Sequence, residues 1–191
     1  MGTSEDSQAA SVSSPVYLDH HATTPLDPRV LDAMLPYLRE DFGNAASTSH
    51  VLGWRAEAAV EEAREQIAQA LSARPAEVVF TSGATESNNL ALLGAAGAAG
   101  SGHVVSVVTE HPAVLDPCAH LERSGFDLTL LPVAPSGLLE AEAVEDAIRD
   151  DTLLVSVMAA NNEIVVLQPI DAIGAICHAR GVLFHLSLIH I

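Results

Sequence analysis

From residue 78 onward, short apolar runs alternate with helix-patterned segments, and this rhythm leaves the chain very few folds to choose from. Runs at about 78–81, 103–108, 127–131, 153–158 and 182–185 have strand length. Two of them, VVSVV and LLVSV, are almost unbroken apolar sequence, as strands covered on both faces should be. Helical spacing recurs between them, at about 85–98, 112–123, 138–149 and 170–180. Pro112 and Pro169 stand near helix starts, and Gly125 and Gly181 just past helix ends. Strand, helix, strand at this spacing implies right-handed crossovers. The expected fold class is therefore α/β, a mostly parallel sheet with helices on both faces.

The upstream residues read differently. Residues 1–14, MGTSEDSQAASVSS, are small and polar, and the expectation is a disordered leader, not a secretory signal. A short strand is expected at 16–18, then a polar loop. Asp27 is placed to cap a helix with Pro28 in its first turn, and Val30, Leu31, Met34, Leu35 and Leu38 give that helix an apolar stripe. After a loop at 42–49, a long alanine-rich helix is expected at about 50–71. Val60, Ala63, Ile67 and Leu71 mark its buried side, and Glu61 and Glu65 point outward.

Composition excludes several functions. With 191 residues and 49% hydrophobic content the chain can bury one large core. A formal charge of −17 argues against nucleic acid and anionic membrane as partners. No apolar run reaches the length of a membrane span. Cys118 and Cys177 both fall in predicted helices, without metal or disulfide spacing, so a reducing cytoplasm is the expected setting. All eight basic residues are arginine, and there is no lysine. Arginine cannot replace lysine where an amine must form a covalent bond to a carbonyl.

The stretch VVFTSGATESNN at 78–89 carries the chemistry. Val78, Val79 and Phe80 read as a buried strand, Thr81, Ser82 and Gly83 as a tight turn, and Ala84 onward as a helix. Such a turn presents unpaired N–H groups and a positive dipole end, to which a phosphate is the natural guest. A plain capped helix, with Ser82 or Thr85 as the cap, explains the same residues. The glycine-rich stretch at 94–102 is not a dinucleotide loop, because it closes a helix and leads into a strand. In parallel sheets, ligands bind at the carboxyl ends of the strands. Three loops stand there. They hold Gly83, Ala84 and Thr85, then Thr109, Glu110, His111 and Pro112, then Ala160, Asn161, Asn162 and Glu163. Singly, each is a cap or a turn. Together they offer a phosphate cradle, an imidazole and a carboxamide on one edge.

Five stretches then resemble the NifS/IscS-type cysteine desulfurases of the class V aminotransferase family, in family order and spacing. They are YLDHHATTPLDPRV at 17–30, the GN…S…H…G segment at 43–53, VVFTSGATESNN at 78–89, VVTEHPAVLDPC at 107–118 and AANNEIVVLQPI at 159–170. The resemblance implies the large, cofactor-binding domain of a pyridoxal-phosphate transferase over 15–185, with the N-terminal segment contributing to a smaller domain. It implies that Gly83, Ala84 and Thr85 hold the cofactor phosphate, that His111 stacks on the pyridine ring and moves protons, and that Asn162 contacts the ring and places the substrate. A histidine suits proton transfer because imidazole titrates near neutrality. The implied reaction takes sulfur from L-cysteine, leaving L-alanine and an enzyme persulfide for sulfur-acceptor proteins. A cytoplasmic homodimer is implied with it.

Departures accompany the match. GNAAS stands at 43–47 where the family more often has GNPSS. Val165 stands where a glycine is usual, and a β-branched residue resists the backbone angle a glycine permits. Ser187 replaces an aspartate that pairs with the pyridine nitrogen, and His190 replaces a glutamine. Residues 186–191 read as an aberrant tail on a truncated domain. Without a lysine or the nucleophilic cysteine loop, the chain alone is expected to lack desulfurase activity. Another class V enzyme, such as a selenocysteine lyase, an aminotransferase or a kynureninase-like hydrolase, stays open, as does a non-catalytic binding or oligomerising module. A nicotinamide-dinucleotide module is disfavoured.

Overall fold

Parallel strands need long crossovers, and the helix-patterned segments supply them. The computed structural model describes residues 15–18, 20 and 23–188. The expected leader at 1–14 and His190 lie outside them. Four strands, β1 (His103–Val107), β2 (Asp127–Leu131), β3 (Thr152–Met158) and β4 (Leu183–Ser187), form one sheet in the order β2-β1-β3-β4, every pair parallel. The sheet is preceded by α1 (Pro28–Arg39), α2 (Val51–Ala70) and α3 (Ala84–Ala99). The crossovers are α4 (Pro112–Arg123), α5 (Ala141–Ala147) and α6 (Ile170–Arg180).

Side-chain alternation along each strand divides the core in two. Val105, Val107, Val155 and Val157 pack with Val144 of α5 and Ile173 and Cys177 of α6. Val104 and Leu154 face the other way, onto Leu92 and Ala96 of α3 and Val114, Cys118 and Leu121 of α4. Helices therefore cover both faces, as expected. At the amino edge, His103 is only 1% exposed and ties three strands. The Arg149 N–H donates to Thr152 Oγ1 (2.7 Å), which also hydrogen-bonds His103 Nδ1 (2.9 Å). His103 Nε2 hydrogen-bonds Thr129 Oγ1 (2.8 Å).

Local chemistry sets the helix ends. Asp27 Oδ1 accepts from the Arg29 N–H at 2.8 Å, with Pro28 opening α1. Gly181 closes α6 at φ 68°, a left-handed angle that favours glycine. Gly43 and Gly53 answer to space instead. A Cβ on Gly43 would lie 2.1 Å from the Leu52 carbonyl oxygen, and one on Gly53 would lie 1.9 Å from that of Ser47. The loop before α2 can pack onto the start of α2 only with glycine at both positions.

Several expectations need correction. Residues 78–81 form no strand, and Val79 and Phe80 are exposed. Residues 16–18 likewise pair with nothing among the described residues, and Val16 and Leu18 are exposed. An apolar run becomes a strand only beside a partner ladder, and the four-stranded sheet offers neither segment one. Arg64 of α2 orders 78–80 by other means: its guanidinium donates to the Val78 carbonyl and lies 4.9 Å from the centre of the Phe80 ring. The buried positions of α2 are Gly53, Ala56 and Ala68, while Ile67 and Leu71 are exposed. The helix expected at 138–149 is the shorter α5, because Leu139 is spent as a core anchor ahead of it.

Candidate functional site

The order of the strands selects the edge where a ligand can bind. From β1 the chain crosses to β2 on one side, and from β2 it returns past β1 to β3 on the other. The loops leaving β1 and β3 therefore diverge to opposite faces. The crevice between such loops, at the carboxyl ends of the strands, is where open parallel sheets take ligands. The β1 loop holds Thr109, Glu110 and His111, and the β3 loop holds Asn161 and Asn162.

His111 is half-buried and is the N-cap of α4. Its Nδ1 accepts from the Ala113 N–H at 3.0 Å, so a neutral ring carries its proton on Nε2. Asn162 is half-buried on the facing loop. The two loops are joined by Asn161, whose Nδ2 donates to the Thr109 carbonyl at 2.8 Å. Val165 in the same loop has φ 58°, the left-handed angle expected where glycine is usual.

The third part is the start of α3. Gly83 is its N-cap and no side chain caps it, so the expected Ser82 or Thr85 cap is absent. Thr81 Oγ1 instead bonds the Gly83 carbonyl (3.1 Å) and Ser87 Oγ (2.7 Å). Glu86 turns back to accept from the Ser82 N–H and hydroxyl, both at 2.6 Å. The Ser82 hydroxyl first, and then its amide, hold the Glu86 carboxyl below its ordinary pKa. The first amides of a sixteen-residue helix are thus left for a guest, and a Cβ on Gly83 would meet nothing within 4 Å. α3 runs down into the start of β1, which puts its N-terminus toward the carboxyl edge of the sheet. The sequence-predicted residues Gly83, Ala84, Thr85, His111 and Asn162 are therefore all carried to one edge.

Two residues at this edge were not singled out by sequence. Glu110 is 5% exposed and neither carboxylate oxygen has a hydrogen-bond partner. Burial first, against weaker stabilisation by the Met158 and His111 amides, pushes its pKa up to about 7. Asn161, 7% exposed, organises the β3 loop. The only sequence signal for either is its adjacency to a predicted site residue. On the neighbouring face, Asn88 of α3 also buries an Nδ2 without a partner. The same edge ends β4 at Ser187, which is buried and whose carbonyl accepts from the Ala159 N–H at 2.9 Å. The thiols of Cys118 and Cys177 are buried, and burial raises both pKa values, that of Cys118 to about 11. Neither is poised as a nucleophile.

An uncapped helix start on the edge that also carries a histidine and a carboxamide suits a phosphorylated aromatic cofactor held noncovalently. With no lysine in the chain, no ε-amine is present to add a covalent link. Among the described residues there is no cluster of metal-ligating side chains, and no helix is long and apolar enough to cross a membrane.

Known proteins resemble this chain closely. The family model for aminotransferase class-V matches residues 16–187. The cysteine desulfurase IscS of Rickettsia akari (strain Hartford) is 54% identical over 180 residues, covering 93% of this chain and 44% of that protein. The cysteine desulfurase IscS of Rickettsia felis is 56% identical over 173 residues, covering 90% of this chain and 42% of that protein. The chain thus spans less than half the length of these curated relatives. Among solved structures, a NifS-like protein superposes with a TM-score of 0.87 at 37% identity, covering 92% of this chain and 49% of that one. The structure of SspA in complex with cysteine gives 0.85 at 41% identity, over 90% of this chain and 50% of that one.

Proposed function

We propose, for a chain that belongs to the aminotransferase class-V family, that its site is the phosphate- and ring-binding part of a pyridoxal 5′-phosphate-dependent cysteine desulfurase. The reaction would remove sulfur from L-cysteine, leaving L-alanine and an enzyme persulfide. One observation carries the reading: an uncapped helix start, an imidazole and a carboxamide stand on the one sheet edge where the crossovers diverge. The cysteine desulfurase names of its relatives support it.

When bound, the cofactor supplies an electron sink for bonds broken at an amino acid. The Ala84 and Thr85 amides would hold its phosphate, in the open space beside Gly83. His111 would lie against the ring. Its Nε2 is the atom that holds or moves a proton, because Nδ1 is committed to the Ala113 amide. The Asn162 carboxamide would orient ring and substrate. The proposal extends to a cytoplasmic homodimer that hands sulfur to acceptor proteins for iron–sulfur assembly or tRNA thiolation. It also extends to residues 15–185 as the large domain. A second reading, a binding module that keeps this half-site without catalysis, draws on the absence of lysine.

The test is equilibrium dialysis of the 191-residue chain against pyridoxal phosphate, with alanine release from L-cysteine assayed alongside. Saturable binding that inorganic phosphate displaces, with no alanine released, is the expected result. No binding, or alanine released by this lysine-free chain, overturns the assignment of roles.

A further inference from the structure

We propose that Asn161 is the positioning residue of this site, a single amide that clamps the loop carrying Asn162 to the loop carrying His111. The proposal rests on the reading above for what the two loops do, but its geometry stands apart from it. Asn161 is nine-tenths buried and uses its whole hydrogen-bonding capacity. Nδ2 donates to the Thr109 carbonyl at 2.8 Å and also faces Met158 Sδ at 3.4 Å. Oδ1 accepts from the Glu163 and Ile164 N–H groups, both at 2.9 Å. The amide cannot be turned over. A flip would set Oδ1 against the Thr109 carbonyl oxygen and the NH2 group against two N–H donors.

The backbone of the same residue closes the loop. Its N–H donates to the Val166 carbonyl (3.1 Å) and its carbonyl accepts from the Val165 N–H (2.9 Å). Oδ1 therefore shapes the turn that presents Asn162, while Nδ2 reaches across to the peptide two residues before His111. The two ends of one side chain do separate jobs, and only a carboxamide of this length does both. Aspartate keeps the acceptor and, when ionised, loses the donor and repels the Thr109 carbonyl. Alanine loses both.

That separation gives the test, by amide hydrogen exchange on the intact 191-residue chain, each variant divided by wild type at the same pH. The Ala113 amide reports His111, to which it is bonded. The Glu163 and Ile164 amides report the turn. Asn161→Asp should leave Glu163 and Ile164 protected at pH 7.5 and speed exchange at Ala113 about tenfold, the loss of one buried hydrogen bond. Ala113 protection should return as the pH falls and the new carboxyl gains a proton to donate. Asn161→Ala should lose all three protections and recover none. Glu110, His111 and Glu163 are the titratable groups on the two loops, and buried Glu110 adjoins Thr109. The series is therefore repeated in a Glu110→Gln background, where the recovery should persist. Unchanged Ala113 exchange in Asn161→Asp, equal loss at all three amides, or no recovery on acidification each overturns the clamp. Dialysis of wild type against pyridoxal phosphate tests the site reading separately. Failure there leaves the exchange result standing.

Discussion

Glu110 shows how one residue's environment sets a pH dependence that its sequence position does not. Folding takes its carboxyl from water and returns only the weaker pull of the Met158 and His111 amides, so the native state holds a proton up to about pH 7. The unfolded chain releases that proton near the ordinary value of 4.5. The native state binds more protons between these two values, so this residue's contribution to stability is full below about 4.5 and is lost as pH rises to about 7. Glu110→Gln should remove the loss, with a gain over wild type that grows across that window to at most about 3 kcal/mol. Urea denaturation at pH 5 and pH 8 measures it, and an equal effect at both values would contradict the assignment. His103 and His185 act in the opposite sense. Burial, the leading cause for both, lowers their pKa, so they favour folding above about pH 6.5 and stop doing so as the pH falls below it. Val165 is a second local case. A β-branched side chain at φ 58° costs on the order of 1–2 kcal/mol, and Val165→Gly should recover about 1 kcal/mol of it in the same urea experiment. A net loss would mean that the exposed Val165 side chain contributes more than the strain costs.

At the scale of elements, the helices follow their own sequence and the strands do not. Pro112 opens α4 and Gly181 closes α6 where local chemistry puts them, because caps are decided within a few residues. The start of α3 departs from this, with a glycine N-cap where a hydroxyl was expected. An uncapped start can be altered without breaking the helix. Ala84→Pro removes one N–H at the position where proline is best tolerated, after a residue whose ψ of −179° already suits it. It should weaken pyridoxal phosphate binding about tenfold, leaving the thermal midpoint within a few degrees. Unchanged affinity would remove the helix start from the site. The segments at 16–18 and 78–81 carry strand-like residues as good as those of β1, yet pair with nothing among the described residues. Strand propensity measures fit to a sheet surface and cannot create the neighbouring strand.

For the molecule as a whole, the sequence by itself determined the alternation, the α/β class and such helix ends as the start of α4 and the close of α6, since periodicity and caps are written in nearby residues. It also placed His111 and Asn162 in loops at the carboxyl ends of parallel strands, whereas the strand at 78–81 from which it placed Gly83, Ala84 and Thr85 does not form, and these three stand at the start of α3. Strand order was not legible. The exchange of neighbours that puts β1 between β2 and β3, and so opens the crevice, depends on pairings between residues far apart in the chain. Nor was the burial of Glu110, or the reach of Asn161 to Thr109 across 52 positions. A sequence shows which groups can donate and accept. Only the tertiary structure decides which of them lose water and which partner, if any, they find in its place.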